Sequence, residues 1–548
     1  MKTQHAITLR ELIDRFDLSL TSPREEARKE ELREFRIRSA EQALEHLRTG
    51  NVGLVADTGT GKTIIAFLAF FSLYVNENCR TLFLAPQRLL AGQHKLLLTE
   101  IARASHIADS ERIIGGKKKR RWKDRTVPII FATPQTFMRD KEKGLADADD
   151  FDLIILDEFH HTRGKYDYVA VAEEAAKNGV RMLLLSASPG GTEEKIEAIE
   201  RVCRIDHWVR VKVATPAKRE VIAVAEANPT VSDLDRKFLS LLERVEIQLG
   251  AFGVIEGPKR GRKRKPKLLS QAHLDGLIEK IQALEAPYPL FEALALYAIY
   301  GKLRHSYLTC MAESYATFLA YIAREREKDE EDQTQGANGR ERRTARHRFL
   351  GHPKVREIVS IAERERDNHP KTAELVRIVR SLAEAKQNAL IFVGEKETGL
   401  YLKEVLAKER ITSEVLFGGK GKSARKQEAI LEKLKEREFD FVIATSVLKE
   451  GINIEKLDAV IHYSLPLNEI ERIQGSGRAG RTEEGTVFYV FLDHPLEKAR
   501  YWSSYRKLKT MHAVIEEKTA PYWMFEDARM KGQLTFSFVT REYDPAYP

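Results

Sequence analysis

Two parallel-sheet α/β lobes separated by a helical insert are the architecture that the sequence predicts. Three observations lead to it. Short apolar runs alternate with helix-like stretches in two separate regions, the pattern of strands joined by helical crossovers. Between those regions the strand pattern stops and a helical periodicity takes over. At 548 residues the chain also exceeds what one hydrophobic core usually supports, so about three domains are expected.

Residues 1–35 read as an N-terminal helical extension, in which Ser22, Pro23 and Glu25 form a capping-box start for a charged helix. The first lobe spans 36–216, with strand candidates at 52–56, 81–85, 128–132, 152–156 and 181–186. Over 217–368 the strand pattern ends and the insert begins. In SDLDRKFLSLLERVEIQLG, apolar Leu234, Phe238, Leu241, Leu242, Val245 and Leu249 recur on one face, with Ser232 placed to cap the start and Gly250 the end. One or two further helices are expected over 290–323, and the charge-dense stretch 325–348 reads as disorder. The second lobe, 369–516, repeats the plan of the first, with strand candidates at 389–393, 414–417, 441–444, 459–463 and 487–492. The tail 517–548 carries no usable motif.

Lys and Arg outnumber Asp and Glu by 91 to 82, a net charge of +9 whose distribution matters more than its size. KKKRRWK at 117–123 and KRGRKRKPK at 259–267 read either as phosphate-contacting patches or as solvated loops. The three cysteines, Cys79, Cys203 and Cys310, lie far apart with no CxxC, which indicates neither a zinc site nor a disulfide framework. No run of about 18 apolar residues occurs, and the expectation is a soluble cytoplasmic protein without membrane contact.

ADTGTGKT, residues Ala56, Asp57, Thr58, Gly59, Thr60, Gly61, Lys62 and Thr63, lies between a predicted strand and a helix opening at about Lys62. That is the context of a phosphate-binding loop: the glycines let backbone N–H groups converge on phosphates, Lys62 neutralises the β- and γ-phosphates of ATP, and the Thr63 hydroxyl ligates Mg²⁺. Ala56 stands where the usual pattern has glycine. Asp157 and Glu158 follow the apolar run DLIIL and so emerge at the carboxyl end of a buried strand. Asp157 is the candidate Mg²⁺ carboxylate, and Glu158 the base that orients and deprotonates water. Far downstream, QGSGRAGR supplies Arg478 and Arg481, which face one way from a short helix and can stabilise charge on the γ-phosphate from the opposite lobe.

With DEFH at 157–160 added to these segments, the chain resembles a superfamily 2 helicase of the DExH type, whose two lobes are RecA-like. LAPQRLLAGQH at 84–94, ATPQT at 132–136, SAS at 186–188, IFV at 391–393 and ATSVLKEGINI at 444–454 match further motifs of that family in order. DEFHHTRGKYDYVAVA, SASPGGTEEKI and RYWSSYRKLKTM bring the likeness nearest to the archaeal Hef helicase and its FANCM relatives, in which the insert engages branched DNA. The resemblance implies that Gln42 reads adenine, and that His160 and Gln474 communicate between nucleotide and nucleic acid. It also implies that Pro86, Gln87, Arg88, Thr133, Pro134, Thr445 and Ser446 grip a single strand by its backbone.

The chain departs from the family pattern at Phe159, Gly475 and Ser476, none of which removes a catalytic group. It ends at Pro548 without room for the nuclease and helix-hairpin-helix domains of many archaeal relatives, so a separate nuclease or sliding clamp is an expected partner. The leading expectation is an ATP- and Mg²⁺-dependent DNA helicase or translocase acting on single-stranded, forked and branched DNA, moving 3′ to 5′. An RNA-directed DExH ATPase and an inactive nucleic-acid-binding scaffold are the alternatives.

Overall fold

A strand that is apolar along its whole length is stable when helices cover both faces of its sheet. The computed structural model describes residues 6–21, 29–102, 110–112, 121–162, 167–211, 218–255, 268–269, 271–284, 287–334, 340–417, 430, 433, 438–445, 457–477 and 485–519. In it the apolar runs form two parallel sheets.

The first sheet takes β1 (Asn51–Ala56), β2 (Thr81–Leu84), β3 (Ser110–Arg112), β4 (Ile129–Ala132), β5 (Leu153–Asp157), β6 (Arg181–Ser186) and β7 (Ile205–Val211), in the order β3-β4-β2-β5-β6-β1-β7. The helices of this lobe are α1 (Leu9–Arg15), α2 (Lys29–Leu47), α3 (Lys62–Glu77), α4 (Arg88–Ile101), α5 (Pro134–Glu142), α6 (Asp167–Lys177) and α7 (Glu193–Cys203). Helix α3 is apolar nearly all round because it is packed nearly all round: Ile65 to Phe71 share one core with α1, α2 and the sheet. The capping signal at Ser22, Pro23 and Glu25 lies outside the described residues.

The second sheet takes β8 (Lys218–Ala225), β9 (Ala389–Val393), β10 (Ser413–Leu416), β11 (Phe441–Thr445), β12 (Ala459–His462) and β13 (Gly485–Leu492), in the order β10-β11-β9-β12-β13-β8. This corrects the expectation that strands stop at residue 217. β8 precedes the insert in sequence yet runs parallel to β13 over eight registered pairs, from Gly485 opposite Lys218 to Leu492 opposite Ala225.

The insert consists of α8 (Pro229–Ala251), α9 (Gln271–Gln282), α10 (Pro287–Ala312), α11 (Tyr315–Thr334), α12 (Arg340–Gly351) and α13 (Pro353–Arg364). The apolar stripe of α8 is buried as expected, but its start is not at Ser232. Pro229 occupies the first helical position and the Asn228 side chain accepts from the Val231 N–H at 2.9 Å, so Ser232 lies inside the first turn. The end also lies one residue beyond Gly250. The stretch read as disorder is instead largely helical, in α11 and α12, because its opposite charges meet across the two helices. Glu325 takes both Lys302 and Arg346, Arg346 also reaches Asp332, and His347 pairs with Asp329 at 3.2 Å.

Lobe 2 is completed by α14 (Pro370–Glu384), α15 (Lys396–Lys408), α16 (Glu469–Ser476) and α17 (Pro495–Lys518). Insert and lobe 2 are joined through buried polar groups. Lys371 donates to Glu497 at 2.7 Å, with both side chains fully buried, and to the Ala312 carbonyl at 2.7 Å. Glu313 accepts from Ser464 at 2.7 Å and Thr398 at 3.1 Å, and Asp235 takes His494 at 3.0 Å. Towards its far end α17 packs Val514 and Ile515 into a core of lobe 1, and Arg210 donates to the His512 carbonyl there.

His369 caps α14 from a fully buried position, where burial and the neighbouring Lys371 hold its imidazole down to about 3. An unfolded imidazole titrates near 6.5, so the unfolded chain takes up a proton that the folded chain refuses, and stability falls as pH drops below about 6.5. His369→Phe, which cannot titrate, is expected to show a shallower loss of thermal unfolding midpoint between pH 7.5 and 5 than the wild type. Parallel curves would contradict this assignment.

Candidate functional site

The buried run of β1 ends at Ala56, and the chain re-enters regular structure at Lys62, as the sequence predicts. In between, Gly59 and Gly61 adopt φ of +82° and +95°, a region that L side chains avoid. A Cβ at Gly61 would also lie 2.5 Å from the Nε of Arg36. Arg36, buried on α2, donates from Nε to the Thr60 carbonyl at 3.3 Å and from Nη1 to the Leu20 carbonyl. The loop is further closed by the Thr60 hydroxyl donating to the Asp57 carbonyl at 2.8 Å. A buried guanidinium thus braces the loop, and its position in the sequence carries no signal of that role. Lys62 Nζ donates to the Ala56 carbonyl at 3.2 Å, and Thr63 sits half-buried in the first turn of α3. Gln42 is half-buried on α2.

β6 lies between β5 and β1, so Asp157, Ser186 and the phosphate loop share one carboxyl edge of the sheet. Asp157 is buried; its Oδ2 accepts from His94 Nε2 on α4 at 2.7 Å, and its main-chain carbonyl accepts from the Tyr168 hydroxyl on α6 at 2.8 Å. Glu158 holds φ +52° and ψ 49°, a left-handed conformation that is costly for a residue other than glycine and recurs at functional sites. His160, buried, sets Nδ1 3.3 Å from Glu158 Oε2 and 3.1 Å from Ser186 Oγ. The acidic motif and SAS are therefore in direct contact.

These residues fit Mg²⁺ and a triphosphate. The donors on offer, the Asp157 carboxylate and the Thr63 hydroxyl, are hard oxygens, and Mg²⁺ is typically held by one or two such groups together with substrate phosphates. Among the described residues no cluster of three His, Cys, Asp or Glu side chains could hold a metal alone. The two left-handed glycines at the mouth of α3 form the concavity that a phosphate fills.

Lobe 2 brings α16 to this edge. Asn468 caps it, accepting from the Glu471 N–H at 2.8 Å, and Gln474 is buried on it. Arg472 fixes the helix from behind: its guanidinium lies 4.3, 4.8 and 5.4 Å from the rings of Tyr489, Tyr501 and Tyr505 and donates to Glu220 of β8 at 3.0 Å. At the end of α16, a Cβ on Gly477 would lie 1.7 Å from Thr58 Oγ1, so the backbone of lobe 2 rests against the phosphate loop of lobe 1. A Cβ on Gly191, just after SAS, would lie 2.3 Å from Glu469 Oε2. Arg478 and Arg481 lie outside the described residues, but Gly477 immediately precedes the first of them.

Of the residues expected to grip a strand, Arg88 is exposed at the start of α4, with Pro86 and Gln87 half-buried before it. Thr133 and Pro134 are buried, and the Thr133 hydroxyl is engaged in capping α5 through the Thr136 N–H at 3.3 Å. Thr445 is buried at the end of β11; Ser446 lies outside the described residues. The basic runs are described only over 121–123, where Trp122 is buried and donates to Asp140 at 2.8 Å while Arg121 pairs with Asp124.

The family model described as Type III restriction enzyme, res subunit, matches residues 25–190, and that described as Helicase conserved C-terminal domain matches residues 370–483. A protein of Methanocaldococcus jannaschii, provisionally named an ATP-dependent RNA helicase, is 28% identical over 488 residues, 84% of this chain and 58% of its own length. ATP-dependent DNA helicase fml1 of Schizosaccharomyces pombe is 26% identical over 487 residues, 82% of this chain and 56% of its own. ATP-dependent DNA helicase mph1 of Aspergillus fumigatus is 23% identical over 524 residues, 88% and 46% respectively. The chain spans about half the length of these relatives. The Hef helicase domain of Pyrococcus furiosus shares the fold at a TM-score of 0.61 and 24% identity, over 85% of this chain and 97% of that one.

Gly61→Ala is expected to weaken nucleotide binding at least about tenfold, because a left-handed L-residue costs roughly 1–2 kcal/mol before the clash with Arg36 is added. Gly144→Ala is the control: it has φ +68° with nothing within 4 Å, and should leave the affinity for a fluorescent ATP analogue unchanged.

Proposed function

We propose that this chain, which belongs to the superfamily 2 DExH helicases in the group of Hef and FANCM, uses ATP hydrolysis to move along DNA at forks and other branched structures. The observation that supports this most is the meeting of Gly477 with Thr58, which sets the described start of QGSGRAGR in one lobe against the phosphate loop of the other. An ATP site divided in this way makes hydrolysis depend on how the lobes are arranged.

Lys62 and the loop N–H groups hold the β- and γ-phosphates, and Gln42 reads the adenine. Thr63 and Asp157 would hold Mg²⁺, which would supply neutralisation of the charge that develops on the transferring group. Glu158 accepts a proton from water as the water oxygen bonds to the γ-phosphorus and the bond to the β–γ bridging oxygen breaks, leaving ADP and phosphate. Arg478 and Arg481 stabilise the charge on the γ-phosphoryl oxygens, a contribution worth several kcal/mol in related motors. His160, touching both Glu158 and Ser186, and Gln474 on α16 relay the state of the nucleotide to the strand.

The strand lies across the open edge of both lobes, on Pro86, Gln87, Arg88 and the α5 terminus of lobe 1 and on Thr445 and Ser446 of lobe 2. Such contacts read phosphate and not sequence, so binding is salt-sensitive and sequence-tolerant. The insert moves with lobe 2, to which its buried polar groups tie it, and presents a second surface to a branch. Movement is 3′ to 5′, the setting is fork repair or recombination, and a separate nuclease or clamp acts with it. The name of the M. jannaschii relative favours a second reading, an RNA-directed ATPase built on the same core.

Lys62→Ala is expected to reduce ATP hydrolysis to background while leaving single-stranded DNA affinity intact in a filter-binding assay. In the wild type, forked DNA should stimulate hydrolysis more than duplex RNA does. The reverse order would assign the RNA reading, and stimulation by neither would exclude both.

A further inference from the structure

We infer that His94 is a positioning residue for the Mg²⁺-binding carboxylate, an inference that rests on the reading of Asp157 as that carboxylate. His94 lies on α4, in the second turn after the exposed Arg88, and its ring is turned inward. It packs on Phe83 of β2 with centroids 4.9 Å apart, and its Nε2–H donates to Asp157 Oδ2 at 2.7 Å. The two side chains retain 8% and 6% of their exposure, so solvent screens the contact little.

Among the described residues His94 is the one side-chain donor to that carboxylate. Tyr168 holds the other end of the residue, through the main-chain carbonyl. A carboxylate at the end of a strand can rotate about its terminal bond, and a hydrogen bond to one oxygen sets its plane and leaves the other for the ion or the ion's waters. Groups placed in this way behind a metal ligand typically change metal affinity 10–100-fold when removed. The ring is held by packing as well as by its bond: Phe83 is fully buried and contacts Phe67 and Phe131.

The test titrates Mg²⁺ into the full chain mixed with a fluorescent, non-hydrolysable ATP analogue, and reads binding and not turnover. His94→Ala should raise the Mg²⁺ concentration for half-maximal binding by roughly 10–100-fold, with binding of the Mg²⁺-free analogue unchanged. His94→Gln, whose side-chain amide can reach where Nε2 stands, should restore most of the difference, and His94→Asn, which is too short, should not. In an Asp157→Asn background the alanine substitution should have no further effect. An unchanged Mg²⁺ curve in His94→Ala overturns the inference. So does an equal shift in the alanine and glutamine variants, or an equal loss with and without Mg²⁺, since each marks a role in packing alone. If His94→Ala does not fold, the glutamine and asparagine variants make the same comparison. A wild type whose binding ignores Mg²⁺, or an Asp157→Asn variant that matches it, would instead remove the reading of Asp157.

Discussion

The ion pair between Lys371 and Glu497 is the interaction on which the arrangement of domains depends. Both side chains are fully buried, 2.7 Å apart, and they stand 126 positions apart in the chain. Burial pushes the Glu497 carboxyl above its ordinary range and Lys371 opposes that. Removing one partner of such a pair costs about 3–5 kcal/mol, because the other charge is left without compensation in a dry interior. The same ammonium bonds the Ala312 carbonyl at the end of α10. One lysine therefore fastens the insert, α14 and α17 at a single point, and the insert cannot tilt on lobe 2 without exposing or orphaning it.

The face of lobe 2 that meets the phosphate loop inherits this constraint. Helix α16 is held by Arg472 between Tyr489, Tyr501 and Tyr505 and by Glu220, which belongs to β8. β8 leads directly into the insert, and α17, which supplies two of the tyrosines, also supplies Glu497. Insert, β8, α16 and α17 are thus mechanically continuous. Where α17 reaches lobe 1, through Arg210 and Glu516 and through Lys518 and Glu200, it does so near its end, where Met511, His512 and Ile515 line a cavity together with Ala56 and Asp57 of the phosphate loop.

What the sequence made legible was local. The phosphate loop is a strand, a turn and a helix within a dozen residues, and its glycines declare the conformations they adopt. Asp157 and Glu158 could be placed because a buried strand delivers its last residues to one edge. Long-range pairings were not legible. β8 finds its partner 267 positions away, at Lys218 and Gly485, and nothing in KREVIAVA says so. Arg36 is one basic residue among many until it is seen under Thr60. The stretch 325–348 looks disordered by composition because its acidic and basic halves neutralise each other only after α11 and α12 pack. His94 sits in a segment whose resemblance assigns it to nucleic-acid contact, and its ring turns the other way, towards Asp157.

The central claim is that lobe 2 and the insert move as one body when the nucleotide draws the lobes together. The three native cysteines are buried, so cysteines introduced at exposed Glu142 of lobe 1, Glu279 of the insert and Glu404 of lobe 2 can be labelled selectively. Single-molecule energy transfer would then follow pairs of these sites as a non-hydrolysable ATP analogue and single-stranded DNA are added. The distance from Glu279 to Glu404 should stay constant while that from Glu142 to Glu279 changes. A change between Glu279 and Glu404 as large as that between Glu142 and Glu279 would contradict the account.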